Sequence, residues 1–397
     1  MPLPLYLLAV AVFAMGTSEF MLAGLLPDIA AGLDVSVGTA GTLTSAFAVG
    51  MVVGAPLMAA LARNLPARAS LLGCVLVFLA AHVAGAVTSS FPLLFTTRVV
   101  AALANAGFLA VALTTAATLV PPDRKGRALA VLLSGTTVAT IAGVPGGSLL
   151  GTLLDWRATF WAVAALCLPA AVGILTGVPA RPGPRNPAAG PPLRRELAQL
   201  KNARLLVVML LGALVNAATF ASLTFLAPVV TDIAGLGELW VTVALVLFGA
   251  GSLTGVTVAG RLSDRRPGAV VAACGPPLLL GWPALAVLAD RPTALLLLVF
   301  TQGALSFAVG STLITRVLYA ASGAPTMAGS YATAALNTGA ATGPVLAATT
   351  LHTPAGAAGP LWVSGALVAG ALVAGALVAG ALVAGVSLGN PVSRPTP

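Results

Sequence analysis

The sequence predicts an all-α integral membrane protein with about twelve transmembrane helices, arranged in two halves of six. The chain has 397 residues, of which 58% are hydrophobic and only 7% are charged, and its mean hydropathy is +1.03. A soluble domain carries roughly 25% charged residues. Because so few charges cannot cover a surface that faces water, we expect most of the apolar surface to face lipid.

Twelve apolar runs are long enough to cross the hydrocarbon core, which requires about 20 residues of helix. Charged residues, prolines and glycines cluster between them. The predicted spans of the first half are 5–27, 39–62, 70–88, 92–119, 128–153 and 158–178. Those of the second half are 204–229, 239–260, 269–289, 293–315, 328–350 and 361–385.

Lysine and arginine fall almost entirely in the loops on one side of the predicted membrane. These loops and the C-terminal tail hold Arg63, Arg68, Arg124, Lys125, Arg127, Arg181, Arg185, Arg194, Arg195, Lys201, Arg204, Arg261, Arg265, Arg266, Arg316 and Arg394. The other side has only Arg157 and Arg291. Because cytoplasmic loops carry the positive excess, both termini and residues 179–203 are predicted to be cytoplasmic, in a protein of the plasma (inner) membrane. Orientation also accounts for the net charge of +9 better than nucleic-acid binding does.

The only long polar stretch, 179–203, separates the two halves. It divides the chain into an N-terminal bundle (1–178), a linker (179–203), a C-terminal bundle (204–385) and a tail (386–397). The start of the linker is rich in proline and glycine, while LRRELAQL is predicted to form a short helix on the membrane surface.

Glycine and proline recur at corresponding places in the fifth and eleventh spans. The first of these sites contains Gly135, Gly143, Pro145 and Gly147, and the second contains Gly343 and Pro344. Corresponding interruptions in two halves suggest parallel repeats around a central binding site.

The last span reads GALVA four times from Gly365. A period of five matches neither the helical repeat of 3.6 nor a heptad, so we expect its glycines to be spread around the helix. Expansion of a repeated coding segment explains this pattern better than a functional motif does.

The loop after the eighth span reads GRLSDRRPG and starts at Gly260. This pattern resembles the loop motif of the major facilitator superfamily. There Gly260 allows close helix approach, Asp264 accepts hydrogen bonds and Arg265 pairs with an acid or carbonyl. The first-half copy has Arg63 where the motif has its acid.

The resemblance extends to helices four and five. Arg98 in LFTTRVVAALANAG resembles the fourth-helix arginine motif, and GTTVATIAGVPGGSLLG resembles the fifth-helix motif of antiporters. MGTSEFMLAGLLPDIA is similar to the drug and sugar exporter branch. TLITRVLYAASGAPTMAGSYATAALNTGAATGP resembles bacterial chloramphenicol-resistance exporters.

This resemblance implies a secondary transporter that works by alternating access. It would export chloramphenicol or a related drug in exchange for protons. The alternatives are an exporter of sugars or nucleosides in the same superfamily, or a membrane receptor that transports nothing. A receptor normally carries a soluble output domain, and the longest polar segment here is only the linker.

Glu19 and Arg98 are the candidates for proton coupling. Glu19 lies inside the first span, where an acid that faces lipid costs at least ~2.5 kcal/mol. By helical rise, Glu19 lies ~12 Å and Arg98 ~9 Å below the outer ends of their spans. In the family fold these helices are neighbours, which allows a Glu19–Arg98 pair, direct or through water. The alternatives are a structural Glu19 and an Arg98 that reaches the membrane surface.

Amides and aromatic residues within the spans are candidates for a central substrate cavity. They are Asn105, Asn216, Phe220, Phe225, Gln302 and Asn337. Their other interpretation is hydrogen bonding between helices, worth roughly 0.6 kcal/mol per pair. His82 is interpreted as a hydrogen-bonded core residue.

The sequence shows no signature of an enzyme, a cofactor site or a metal site. It has no nucleotide-binding loop, and its two histidines and three cysteines are dispersed. The expected partners are therefore a small-molecule drug, protons and the lipid bilayer, with no nucleic acid and no obligate protein partner.

Overall fold

The computed structural model describes residues 2–61, 66–121, 125–178, 193–263, 267–324 and 327–388. Within these ranges the chain is almost entirely helical, and the helices agree with the twelve predicted spans to within a few residues. The all-α prediction is therefore confirmed.

The helices of the first half are α1 (Leu3–Phe20), α2 (Leu26–Gly32), α3 (Val37–Leu61), α4 (Ala67–Val87), α5 (Phe91–Thr118), α6 (Lys125–Val138), α7 (Val144–Leu153) and α8 (Trp156–Gly177). The linker contains α9 (Leu193–Leu197). The second half contains α10 (Ala203–Thr224), α11 (Leu226–Pro228), α12 (Leu239–Ser263), α13 (Pro267–Leu288), α14 (Pro292–Ala320), α15 (Ala328–Ala348) and α16 (Gly359–Leu388).

Ten helical segments among the described residues are long and apolar enough to cross a membrane. The other two predicted spans are the fifth and the eleventh. The fifth is divided into α6, a π-helical turn at Ala139–Gly143, and α7. The eleventh is the 21-residue helix α15. A bundle of twelve spans results.

The bundle has two ends, which we name by the residues that mark them. The terminal face contains Leu3 at the start of α1 and Gly177 at the end of α8. The opposite face contains Gly32 at the end of α2 and Trp156 at the start of α8. Close contacts of Gly177 with Pro4, and of Gly32 with Trp156, place each pair at the same end.

The predicted linker helix is present as α9, and it docks on the second half. Glu196 is completely buried, and its Oε2 accepts a hydrogen bond of 2.9 Å from the backbone N–H of Met327, just before α15. The Tyr331 hydroxyl donates to the carbonyl oxygen of Glu196 at 2.9 Å. These contacts attach the end of the linker to the start of α15.

In α16 the GALVA units have different surroundings. Val368 is 1% exposed, whereas Val373, the equivalent residue of the next unit, is 59% exposed. Gly365 lies against Pro283, Gly375 lies near Leu211, and no atom of another segment lies near Gly370. The glycines are therefore spread around the helix, as predicted.

Glycines bring helix backbones together at equivalent places in the two halves. Gly50 on α3 lies against the Val99 carbonyl on α5, and Gly251 on α12 lies against the Phe300 carbonyl on α14. The second pair is displaced from the first by 201 positions (50 to 251, and 99 to 300). In a further pair of contacts, Gly135 lies against the Ala9 carbonyl in the first half and Gly339 lies against the Ala213 carbonyl in the second half. Each residue of the second contact is displaced from its counterpart by 204 positions. The two halves thus repeat the same packing in the same chain direction.

We expect Gly343→Ala to destabilise the protein by about 1–3 kcal/mol, the range typical of overpacking. A Cβ atom at position 343 would meet the backbone of Ala217 on α10, which cannot move without shifting the helix. Thermal unfolding of the purified protein in detergent measures the effect.

Gly73→Ala is the matched control, because the space beside Gly73 is open. Better helix propensity should leave this variant unchanged or stabilise it by up to about 1 kcal/mol. Equal unfolding temperatures for the two variants would contradict the role assigned to Gly343.

Candidate functional site

The first transmembrane segment changes its helical geometry beside Glu19. The α-helix α1 ends at Phe20, and a 3₁₀ segment follows at Met21–Gly24. Glu19, which directly precedes Phe20, is half-buried. Within the described part of the chain, Glu19 has no hydrogen bond or ion pair, so its carboxylate is available to a ligand or a proton.

Arg98 on α5 is fixed to α1 by two hydrogen bonds to a single residue. Its Nη1 donates to Ser18 Oγ at 2.7 Å, and its Nη2 donates to the Ser18 carbonyl oxygen at 2.6 Å. The guanidinium lies over the Phe47 ring of α3, 4.6 Å from its centroid. Arg98 is only 1% exposed, so this cation lies inside the first half and does not reach the membrane surface.

His82 on α4 completes this network. Ser18 Oγ lies 2.7 Å from His82 Nε2, and His82 Nδ1 lies 2.8 Å from the Phe78 carbonyl oxygen. The Phe78 carbonyl oxygen can only accept, so Nδ1 carries a proton and donates to it. In a neutral ring Nε2 then accepts from the Ser18 hydroxyl, whose oxygen accepts from Arg98. The geometry therefore fits a neutral His82 that orients the Ser18 hydroxyl toward Arg98, and it confirms the interpretation of His82 as a hydrogen-bonded core residue.

The direct Glu19–Arg98 ion pair that the sequence allows is not formed. Arg98 uses both terminal nitrogens on Ser18, the residue before Glu19, because that side of α1 faces α5. The two charges still interact electrostatically. Protonation of Glu19 would remove the negative charge that compensates the buried guanidinium.

Aromatic rings join the two halves next to Glu19. Phe20 stacks on Phe220 of α10, with ring centroids 5.7 Å apart, and Ala48 and Ala340 pack against Phe220. Phe225 is fully buried. Four helices, α1, α3, α10 and α15, therefore meet at this contact.

Further contacts between the halves lie closer to the opposite face. The ring of Phe225 packs on Gly41 of α3, and Gly24 lies against Leu245 of α12. Gly24 is five residues beyond Glu19, or about 7.5 Å along a helix. These contacts therefore lie between Glu19 and the opposite face.

Asn216 and Asn337 lie within one helical turn of this aromatic contact. Asn216 Nδ2 donates to the Leu336 carbonyl oxygen of α15 at 2.7 Å, and Asn337 Nδ2 donates to Thr333 of its own helix at 3.0 Å. Neither side-chain oxygen has a hydrogen-bond partner among the described residues, so each is available to a ligand at the edge of the central contact.

Asn105 lies seven residues along α5 from Arg98, on the same side of the helix and about 10 Å away. It is 2% exposed, and its Oδ1 has no hydrogen-bond partner among the described residues. An unpaired buried acceptor is unusual, which keeps Asn105 among the candidate site residues.

The assignment of Gln302 to the central cavity is wrong. Its side chain is completely buried inside the second half, where Nε2 donates to the Leu278 carbonyl oxygen of α13 at 3.1 Å. Gly281 leaves the space that its amide fills. Gln302 therefore fits the alternative interpretation, a hydrogen bond between helices.

The glycine and proline sites pack helices together. Gly143 lies against Thr17 of α1, and Gly147 lies against Thr159 of α8 and Met21. Pro145 is buried in the first turn of α7, directly after the π-helical turn. Pro344 lies inside α15 next to Gly343.

The loop motif can be followed only in part. Gly260 lies in the last turn of α12. Asp264 and Arg265 are outside the described residues, so their predicted roles remain predictions.

Three residues of this site were not identified from the sequence: Ser18, Phe20 and Phe47. Ser18 and Phe20 flank Glu19, so the direct neighbours of a buried acid were the available signal. Nothing in the sequence distinguishes Phe47 from other apolar residues within the spans.

Acidic residues gather where the two halves meet at the opposite face. Partial burial, followed by the negative charges of Glu238 and Asp155, raises the pKa of Asp28 above its usual value. Glu238 belongs to the second half and the other two to the first. Three carboxylates from both halves therefore lie close enough at this face to influence one another's charge.

Comparison with known proteins identifies the family. The sequence profile described as "Major Facilitator Superfamily" matches residues 8–348. A chloramphenicol resistance protein from Streptomyces lividans is 76% identical over 368 residues, which are 93% of this chain and 94% of that protein. The inner membrane transport protein YdhP from Escherichia coli (strain K12) is 34% identical over 340 residues, or 86% of each chain.

A solved structure shares the same fold. The crystal structure of the nucleoside transporter NupG matches with a TM-score of 0.73 over 94% of this chain and 99% of that one, at 14% sequence identity. The extent of the profile match, two relatives that cover most of the chain, and the twelve-span bundle lead to one conclusion. The chain belongs to the major facilitator superfamily and is a multi-pass membrane transporter.

Proposed function

We propose that this transporter exports chloramphenicol or a closely related drug in exchange for protons. The observation that carries the drug assignment is the 76% identity, over nearly the whole chain, with a relative named for chloramphenicol resistance. The substrate would bind where the two halves meet, beside Glu19, Phe20 and Phe220. Stacked aromatic rings with amides one turn away suit a ligand that has both an aromatic ring and polar groups.

The contacts between the halves support alternating access. Phe20 on Phe220, Phe225 on Gly41 and Gly24 on Leu245 lie level with Glu19 or nearer the opposite face. Separation of these contacts would expose Glu19 to that face. Closure would return it to the interior of the bundle.

Glu19 would carry the coupled proton. With the proton bound, Glu19 is neutral and Arg98 has lost its compensating charge. With the proton released, the carboxylate compensates the guanidinium across Ser18. Drug and proton would occupy this site in turn, so that the drug is exported as the proton enters.

The terminal face would be cytoplasmic, and the two bundles of residues 1–178 and 204–385 would move as units. The arginine-rich loops on that face support this orientation. The docking of α9 on α15 supports a linker whose end moves with the second half.

The first prediction of this proposal concerns topology. Arg185→Cys, placed in a chain whose native Cys74, Cys167 and Cys274 are changed to alanine, should resist an impermeant thiol reagent added to intact cells. Glu238→Cys is the matched control, because this exposed residue lies at the opposite face and should be labelled. Rapid labelling at position 185 with none at position 238 would reverse the orientation.

The second prediction concerns the substrate. Expression in a sensitive host should raise tolerance to chloramphenicol and lower its intracellular accumulation, and an uncoupler should abolish both effects. If chloramphenicol accumulation stays unchanged while a labelled sugar or nucleoside is exported, the substrate is one of the latter. If no compound moves, a receptor becomes the better interpretation.

The third prediction concerns coupling. Glu19→Gln keeps the size of the side chain and removes its titration, so drug should still bind while uphill export driven by a pH gradient is lost. Uptake of drug into everted vesicles, with and without an imposed pH gradient that is acidic inside, measures this difference. Glu238→Gln, which changes an exposed acid, should export normally.

Full gradient-driven export by Glu19→Gln would make Glu19 structural. The chloramphenicol assignment would survive that result, because it is tested separately by accumulation.

A further inference from the structure

The end of the linker, from α9 to the start of α10, turns its acid inward and its cations outward. Glu196 is the only acid between positions 193 and 204, and it is completely buried against the start of α15. Four cations of the same segment are exposed, and we call them the basic linker surface: Arg194, Arg195, Lys201 and Arg204. Docking of the linker therefore removes the negative charge of this segment from its outer surface.

The cations of the basic linker surface have no acidic partner within the described part of the chain. The ion pair that forms there, between Arg157 and Asp155, lies at the opposite face. All four cations belong to a segment of eleven residues, most of them in α9 and the 3₁₀ turn Ala198–Lys201 that follows it. The segment thus carries a concentrated positive charge that nothing in the described structure balances.

Contacts with three helices fix the level of this surface along the bundle axis. Glu196 binds the backbone N–H of Met327 just before α15, and Gln199 lies against Gly323 just after α14. Asn202 caps α10, since its side-chain oxygen accepts from the backbone N–H of Arg204 at 3.0 Å. The surface therefore lies where three spans begin or end, which is the boundary between hydrocarbon and water.

Two leucines of the same segment face in different directions. Leu200 packs against the core of the second half, whereas Leu197 is 42% exposed between the cations. A soluble anion bound to the cations would leave Leu197 in water. A lipid would cover it, because apolar side chains of a segment at this boundary enter the region between headgroups and acyl chains.

We propose that the basic linker surface binds the headgroups of anionic phospholipids, while Leu197 contacts their acyl chains. Arginine and lysine bind phosphate by charge-assisted hydrogen bonds, and clusters of basic residues directly before a membrane-spanning helix attract anionic lipids. Because Glu196 and Tyr331 attach the segment to α15, the bound lipids are held by the second half. This proposal depends on neither the substrate nor the coupled ion.

The test measures which lipid surrounds position 197 in the full-length protein. A fluorescent label is attached to Leu197→Cys in a chain whose native Cys74, Cys167 and Cys274 are changed to alanine. The vesicles contain equal amounts of phosphatidylglycerol and phosphatidylcholine, and one of the two carries brominated acyl chains that quench the label on contact. We expect phosphatidylglycerol to be preferred at least about fivefold, the effect of one basic residue near an anionic surface.

Two sets of substitutions separate charge from side-chain size. Glutamine at all four positions of the basic linker surface should abolish the preference for phosphatidylglycerol. Arg194→Lys, Arg195→Lys and Arg204→Lys together form the matched control, because they keep the charge and should keep the preference. Salt at about 1 M, where the screening length falls to about 3 Å, should weaken the preference of the wild-type surface.

A label on Leu239→Cys gives the reference at the opposite face, where this residue is 54% exposed at the start of α12. It should show no preference for phosphatidylglycerol. Equal quenching by the two lipids at position 197, or a preference that survives the four glutamines, would overturn the proposal. A label at position 197 that neither lipid quenches would show that α9 stands away from the membrane and would also overturn it. If the glutamine variant does not fold, the salt series decides, because a preference that 1 M salt leaves unchanged is not electrostatic.

Discussion

Close approach of helix backbones at glycine is the constraint on which the rest of this structure depends. Lipid tails are as apolar as leucine, so burial of apolar side chains gives little drive for helices to associate in a bilayer. Packing contacts and hydrogen bonds must hold them instead. Gly50 brings α3 onto α5, and Gly143 brings the fifth span onto α1. The first contact supports α5, which carries Arg98, and the second supports α1, which carries Ser18.

The two halves use one architecture for different chemistry. In the first half a buried guanidinium is held by a serine, an aromatic ring and, at a greater distance, the charge of Glu19. The corresponding position in the second half, 201 residues further on, is Val299, which carries no charge. A charge inside a bilayer is costly and is retained where it has a function. In the proposed exchange, the first half would supply the site that changes its charge, and the second half would be a neutral partner against which that site opens and closes.

The sequence predicted the helices well and the side-chain contacts less well. A span needs a fixed length of apolar residues, so hydropathy and the positions of lysine and arginine were sufficient to find all twelve. The depth of a residue along a span also follows from its number, and it predicted similar depths in the membrane for Glu19 and Arg98. Rotation about the helix axis does not follow from depth, and neighbouring residues differ by about 100°. For this reason the hydrogen bonds go to Ser18 instead of Glu19, and Gln302 faces its own bundle instead of the centre.

The last helix is insensitive to one kind of genetic change. Its identical units follow one another without interruption from Gly365. The protein sequence that results from gain or loss of one unit is therefore the same, whichever unit is duplicated or lost. Every residue of the remaining units keeps its identity at its position, including Val368 against the core and Gly375 beside Leu211. Only the residues after the last unit shift along the helix axis, by about 7.5 Å per unit. Replication slippage in this segment would therefore change the length of the chain's end and leave the packing of the first units as it is.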